Sequence, residues 1–110
     1  MKILALVGSY RKGGASDSAV DEILAAARAA GAETAKIYLI DKKLEYCNNC
    51  RACTQKEGVT PGRCVLDDDL EEILAGIAGA DGLVLASPVN VGTVTAVMKT
   101  FLERLVCCAY

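Results

Sequence analysis

Three short aliphatic runs, set between stretches whose apolar residues recur at helical spacing, constrain this chain more than any other feature. Lys2 to Val7 ends at Gly8, Thr34 to Ile40 follows a glycine at position 31, and Gly82 to Ser87 ends at Pro88. The first is the pattern of a strand buried on both faces, as in a parallel sheet, and the other two read as further strands. Between and after them, Val20, Ile23, Leu24 and Ala27 form one helical stripe, read from Ala19 with Ser16 to Ser18 as available caps and Gly31 as terminator. Leu70, Ile73, Leu74 and Ile77 form a second, opened by Asp67, Asp68 and Asp69, whose charge suits a helix N-terminus. Val94, Val97, Met98, Phe101, Leu102 and Leu105 form the third. The order β-α-β-α-β-α implies right-handed crossovers and an α/β doubly wound parallel sheet with helices on both faces.

Doubly wound sheets have about five strands, and three are encoded here. The third strand then lies beside an empty position, and an aliphatic edge of that kind is covered, paired or charged in proteins. The expectation is a domain over residues 1–110 that is completed either by further chain or by a second copy, hence a homo-oligomer. A long irregular segment, residues 41–66, interrupts the alternation and carries four of the six cysteines. Segments of that length without regular structure are usually functional.

Composition removes several function classes. Net charge is −2, and no basic cluster exceeds two neighbours, Arg11 with Lys12 and Lys42 with Lys43, which argues against nucleic acid or an anionic membrane as partner. The first apolar run is too short for a signal-peptide core, and no membrane span is visible. Six cysteines in such a chain read as ligands or redox thiols before structural disulfides, so a cytoplasmic protein is expected. With no histidine, acid/base catalysis by imidazole is excluded, and any chemistry falls to a cofactor, thiols or carboxylates.

Gly8 to Ser16 lies between the first strand and the first helix, where free backbone N–H groups and the positive helix end make an anion site. Ser9 and Ser16 add hydroxyl donors, and Arg11 adds charge. The spacing is neither that of a dinucleotide fingerprint nor that of a P-loop, so a single phosphate fits better. The plain alternative is an ordinary glycine turn. Ser87 to Gly92 sits at the carboxyl end of the third strand, and in a sheet of order 2-1-3 it faces the first loop across the switch point where such sheets bind ligands. Its alternative is a proline-initiated loop that caps the next helix.

Cys47, Cys50 and Cys53 stand at two-residue gaps, with Cys64 separated from Cys53 by ten residues. Four thiolates so spaced can ligate one [4Fe–4S] cube. They can also hold structural zinc, or stay free or redox-active. Cys107 and Cys108 have no ligand spacing to these and read as small buried hydrophobes, and Tyr38 and Tyr46 read as packing residues.

Gly8-Ser9-Tyr10-Arg11-Lys12-Gly13-Gly14-Ala15-Ser16 resembles the phosphate loop of the NADPH-dependent FMN reductase and iron-sulfur flavoprotein family. Three other segments agree: the cysteines before Asp67 and Asp68; Ala80-Asp81-Gly82; and Ser87-Pro88-Val89 followed by Val97-Met98-Lys99-Thr100-Phe101-Leu102-Glu103-Arg104. The resemblance implies a flavodoxin-like fold and FMN as cofactor. It assigns the phosphate to Ser9, Arg11 and Ser16 with the Gly14 backbone, and the flavin ring to Pro88, Val89 and the backbone nearby, from Asn90 to Gly92. It further implies NAD(P)H as hydride donor and a quinone, a small organic acceptor or an iron-sulfur centre as electron acceptor. An electron carrier without its own nicotinamide site, and a thiol or zinc module that binds no flavin, are the alternatives. The chain departs from the family pattern at Tyr10, where proline is frequent, at Ala15, where asparagine is frequent, and at Asn90, where an aromatic is usual.

Overall fold

The structure, a computed structural model, describes residues 1–53 and 64–109, with the side chains of Cys108 and Ala109 excepted. The middle of the irregular segment expected over 41–66 therefore lies outside the described residues. Strand β1 spans Lys2–Val7, helix α1 Ala15–Ala29, strand β2 Glu33–Tyr38, helix α2 Leu70–Ala78, strand β3 Gly82–Ala86, helix α3 Ala96–Arg104 and a last short turn, α4, Val106–Ala109. The strands are parallel in the order β2-β1-β3, as the alternation of elements implies.

β1 is central, and its side chains divide the core. Leu4 and Leu6 face α2 and α3, packing with Leu39, Leu70, Ile73, Met98, Phe101 and Cys107. Ala5 and Val7, one residue out of phase, face α1 through Val20 and Leu24. Alternation between two buried faces is why β1 is apolar from Ile3 to Val7, since each side chain enters one helical layer or the other. In register with it, Leu83 pairs with Leu4 and Leu85 with Leu6. These two leucines are 43% and 44% exposed, so the helical layer covers β1 but stops short of β3, which is an edge among the described strands.

Element boundaries differ from the sequence expectation for local reasons. α1 starts at Ala15, not Ala19, with Gly14 at the N-cap and no side-chain cap. Asp17, in the first turn, instead reaches back to accept the Gly13 N–H at 2.7 Å, a shifted form of the capping box. Gly31 ends the helix at φ +93°, as expected. β2 stops at Tyr38 because Leu39 to Asp41 winds into a 3-10 turn that drives Leu39 fully into the core. β3 stops at Ala86, and α3 begins after Thr95, whose side chain accepts the Met98 N–H. Tyr46 is 78% exposed and is no packing residue, while Cys107 is buried as expected.

The two loops at the carboxyl ends of β1 and β3 leave the sheet side by side, because the Gly8 N–H still donates to the Ala86 carbonyl at 2.8 Å. α3 then closes against them. Gly8 is required here: a Cβ would lie 2.9 Å from the Met98 Cβ and 3.2 Å from the Thr95 hydroxyl oxygen.

Candidate flavin and thiol sites

The two loops converge on one open cleft of about 420 Å³, lined by Ser9, Tyr10, Arg11, Gly14, Ala15, Ser16, Pro88 and Asn90. Six of the eight residues expected to bind a cofactor are thus brought together. Val89 and Gly92 are not in the lining, and Val89 is 76% exposed. On the Gly8–Ser16 side, Gly14 caps α1 without a side chain, so the first-turn amides carry no side-chain acceptor. Open amides at a positive helix end suit an anion. A Cβ on Gly13 or Gly14 would meet nothing within 4 Å, which leaves the space above them clear. Ser9, in the lining as expected, is also tied into its own loop. Its hydroxyl donates to the Arg11 carbonyl at 2.9 Å and accepts the Arg11 N–H at 3.1 Å, so it shapes the turn that presents Arg11.

Asp17 was absent from the sequence-based site, yet it fixes the loop. Its side chain is buried and accepts from the Gly13 amide, from Lys36 Nζ at 2.7 Å and from the Tyr38 hydroxyl at 2.8 Å. The Lys36 ammonium, then the Gly13 amide, hold the carboxyl at about 2, against burial, which acts the other way. Lys36, also paired with Asp21, has its own pKa raised by these carboxylates, Asp17 first. The usable signal in the sequence was an acid three residues after a small N-cap, Gly14 to Asp17.

On the Ser87–Gly92 side, the Ser87 hydroxyl donates to the Pro88 carbonyl at 2.9 Å and accepts the Thr95 N–H at 3.0 Å. The buried Thr95 hydroxyl donates to the Gly8 carbonyl at 2.5 Å, stitching the Ser87–Gly92 loop and α3 to the end of β1. Asn90 and Thr93 exchange backbone bonds at 2.8 and 3.2 Å around Val91 and Gly92, which have φ of +50° and +78°. Positive φ at both central residues is the signature of a two-residue type I′ turn. Tyr10 reaches over from the phosphate loop, its hydroxyl accepting the Val97 N–H at 3.1 Å.

The four candidate ligands Cys47, Cys50, Cys53 and Cys64 line a second, smaller pocket of about 40 Å³, together with Arg104. Asn49 and Arg51 wind the loop tightly, with φ of +57° and +62°. Burial pushes the Cys53 thiol pKa up, and the neighbouring cysteines act in the same direction. In number and chemistry this donor set fits a thiolate-held metal group. Among the described residues, however, no three cysteine or carboxylate groups stand close enough to share one metal ion.

The acidic trio does more than favour a helix end. Asp68 pairs with Arg104 at 2.6 and 3.0 Å, both side chains essentially buried, and accepts the Glu45 N–H at 2.8 Å. Arg104 also donates to the Glu45 carbonyl at 2.8 Å and to Cys64 Sγ at 3.4 Å. Asp69 accepts the Lys43 N–H at 2.6 Å. These bonds pin both ends of the cysteine segment to α2 and α3. The Arg104 guanidinium holds the Asp68 carboxyl at about 2.

A parallel sheet of order 2-1-3, with the loops that follow β1 and β3 side by side at its switch point, defines a flavodoxin-like fold. The chain belongs to the NADPH-dependent FMN reductase family, which it matches over residues 1–110. It is 37% identical over 105 residues to an iron-sulfur flavoprotein of Archaeoglobus fulgidus, covering 96% of this chain and 46% of that protein. It is 38% identical over 104 residues to one of Methanocaldococcus jannaschii, covering 94% of this chain and 51% of that protein. The chain thus spans about half the length of these relatives. Among solved structures, a flavone reductase superposes with a TM-score of 0.72 at 27% identity, covering 96% of this chain and 30% of that one. RosB, solved with a bound 8-demethyl-8-formylriboflavin-5′-phosphate intermediate, shares the fold with a TM-score of 0.70 at 23% identity, over 96% of this chain and 42% of that one. Among the described residues, no helix is long and apolar enough to cross a membrane.

Proposed function

We propose that this chain binds FMN in the cleft between the Gly8–Ser16 and Ser87–Gly92 loops and serves a flavin-dependent oxidoreductase. The observation that carries this reading is the single cleft of about 420 Å³ in which a phosphate loop and a facing loop meet. Its volume lies in the range of small-molecule and cofactor sites. The α1 N-terminus, Ser16 and Arg11 receive the phosphate, and Asp17 keeps the Gly13 turn in place while its charge is matched by Lys36. Pro88 and Asn90 form the far wall, held by the Ser87 and Thr95 hydroxyls. Bound FMN would supply hydride acceptance and electron release. NAD(P)H is the proposed donor, and a quinone, a small organic molecule or an iron-sulfur centre the acceptor.

Titration of purified protein with FMN, followed by flavin fluorescence, tests the site. Saturable binding that Arg11→Ala weakens about tenfold is expected, in line with loss of a charge-assisted phosphate contact. Anaerobic addition of NADPH or NADH then tests the donor, with bleaching of the flavin absorbance as the expected result. Binding of riboflavin as tight as that of FMN would refute the phosphate assignment.

A second reading, an electron carrier whose four thiols hold a [4Fe–4S] group, is favoured by one observation. Cys47, Cys50, Cys53 and Cys64 line one pocket together with Arg104. Iron and zinc analysis of anaerobically purified protein separates it from a zinc site or free thiols: about four irons per chain, with none in the Cys50→Ser variant, is the supporting result.

A further inference from the structure

The cleft contains one aromatic ring whose state packing does not explain. Tyr10 lines it and is 50% exposed, although both ends of the residue are tied down. At the backbone end, the Ser9 hydroxyl bridges the N–H and carbonyl of Arg11, fixing the turn through Tyr10. At the far end, the phenolic oxygen accepts the Val97 N–H at 3.1 Å. Val97 is the second residue of α3, and its amide belongs to the helix-end donors that have no intrahelical partner. The two anchors belong to the two loop systems that form the cleft, since the turn opens the phosphate loop and α3 follows the ring loop through the Thr95–Ser87 bond.

A side chain pinned at both ends yet half bare presents a rigid apolar face at little entropic cost. Such a face binds another flat ring well, because aromatic pairs gain on the order of 1 kcal/mol beyond the area they bury. The other described aromatics are not available to the cleft. Phe101 is fully buried. Tyr38 is flanked by Lys12 and Lys36, with their ammonium groups 4.7 and 4.8 Å from its ring centroid, and Tyr46 lies in the cysteine segment.

We propose that Tyr10 is the stacking wall of the flavin site: its ring, held across the cleft by the Val97 amide, packs against the isoalloxazine and sets the affinity for the ring rather than for the phosphate. This rests on the FMN reading above, and the test separates the two. FMN and riboflavin are titrated into wild-type protein and into Tyr10→Leu, Tyr10→Phe and Tyr10→Trp, with fluorescence quenching as readout and inorganic phosphate as competitor. Tyr10→Leu is expected to weaken FMN and riboflavin by the same factor, about tenfold, and to relieve quenching, while the inhibition constant of inorganic phosphate is unchanged. Tyr10→Trp, which keeps a stacking face, retains quenching. Tyr10→Phe, which loses only the tether, falls between, and it and the Trp variant decide the matter should the Leu variant fold poorly. Unchanged affinity for both flavins in all variants overturns the assignment. So does a loss confined to FMN, which would make Tyr10 a support of the phosphate loop. Failure of the wild-type protein to bind FMN overturns the functional reading itself, and with it the role of Tyr10.

Discussion

Asp17 and Asp68 both sit at helix starts, where an acid needs no explanation beyond the dipole, and both turn out to hold a site in place. Asp68 is the sharper case, because its carboxylate and the Arg104 guanidinium are buried together and join the cysteine segment to α3. Removing one partner leaves the other charge buried, so Asp68→Ala is expected to cost about 3–5 kcal/mol in urea unfolding, whereas replacing both at once, Asp68→Leu with Arg104→Met, recovers most of it. The pair lies 36 residues apart in sequence, and nothing in local spacing marks it. Both carboxyls titrate at about 2 in the folded state, below the usual 3.8. A depressed folded pKa gives stability that is complete above the unfolded value and is lost as pH falls through the folded one. The thermal midpoint is therefore expected to drop between about pH 4 and pH 2. Asp17→Asn should flatten part of that drop, which a melting series across those pH values would show.

At the scale of elements, the strand and helix cores were legible because apolar periodicity reports the two buried faces directly. Ala5 with Val7 and Leu4 with Leu6 show this most clearly. The boundaries were not legible, since single side chains decide them: Asp17 draws the start of α1 back to Ala15, and Leu39 turns the end of β2 inward. The ring loop was located by Pro88, but its turn was hidden, because Val91 is a residue that type I′ geometry disfavours. A β-branched residue at φ +50° is strained, and this one is fully exposed, so no packing offsets the strain. An asparagine in its place would complete the favoured Asn-Gly pair with Gly92. Val91→Asn is accordingly expected to raise stability by about 1 kcal/mol, measured as a shift of the urea midpoint at constant slope. No gain would mean that the surroundings do not relax around the turn.

At the scale of the molecule, the sheet order explains why the cleft exists at all. β1 and β3 are neighbours whose crossovers leave on opposite faces, α1 on one side and α3 on the other, and the loops at their carboxyl ends must part there. The location of the cleft followed from topology, and so from sequence; its aromatic wall and the carboxylate behind its phosphate loop did not, because both depend on contacts between segments remote in the chain. The cysteine pocket lies elsewhere, beyond the last turn of α3, and is tied to the core through Arg104 rather than through the loops of the cleft. A ligand that binds only the folded state at 100 times its dissociation constant adds about 2.7 kcal/mol. For a chain of 110 residues this corresponds to a rise of roughly 10 °C in melting temperature. Because the two sites are separate, the rise should come with slowed amide exchange over residues 8–16 and 87–97 and unchanged exchange over 42–53. Slowing across the cysteine segment as well would show that α3 transmits flavin binding from the Val97 amide at one end to Arg104 at the other.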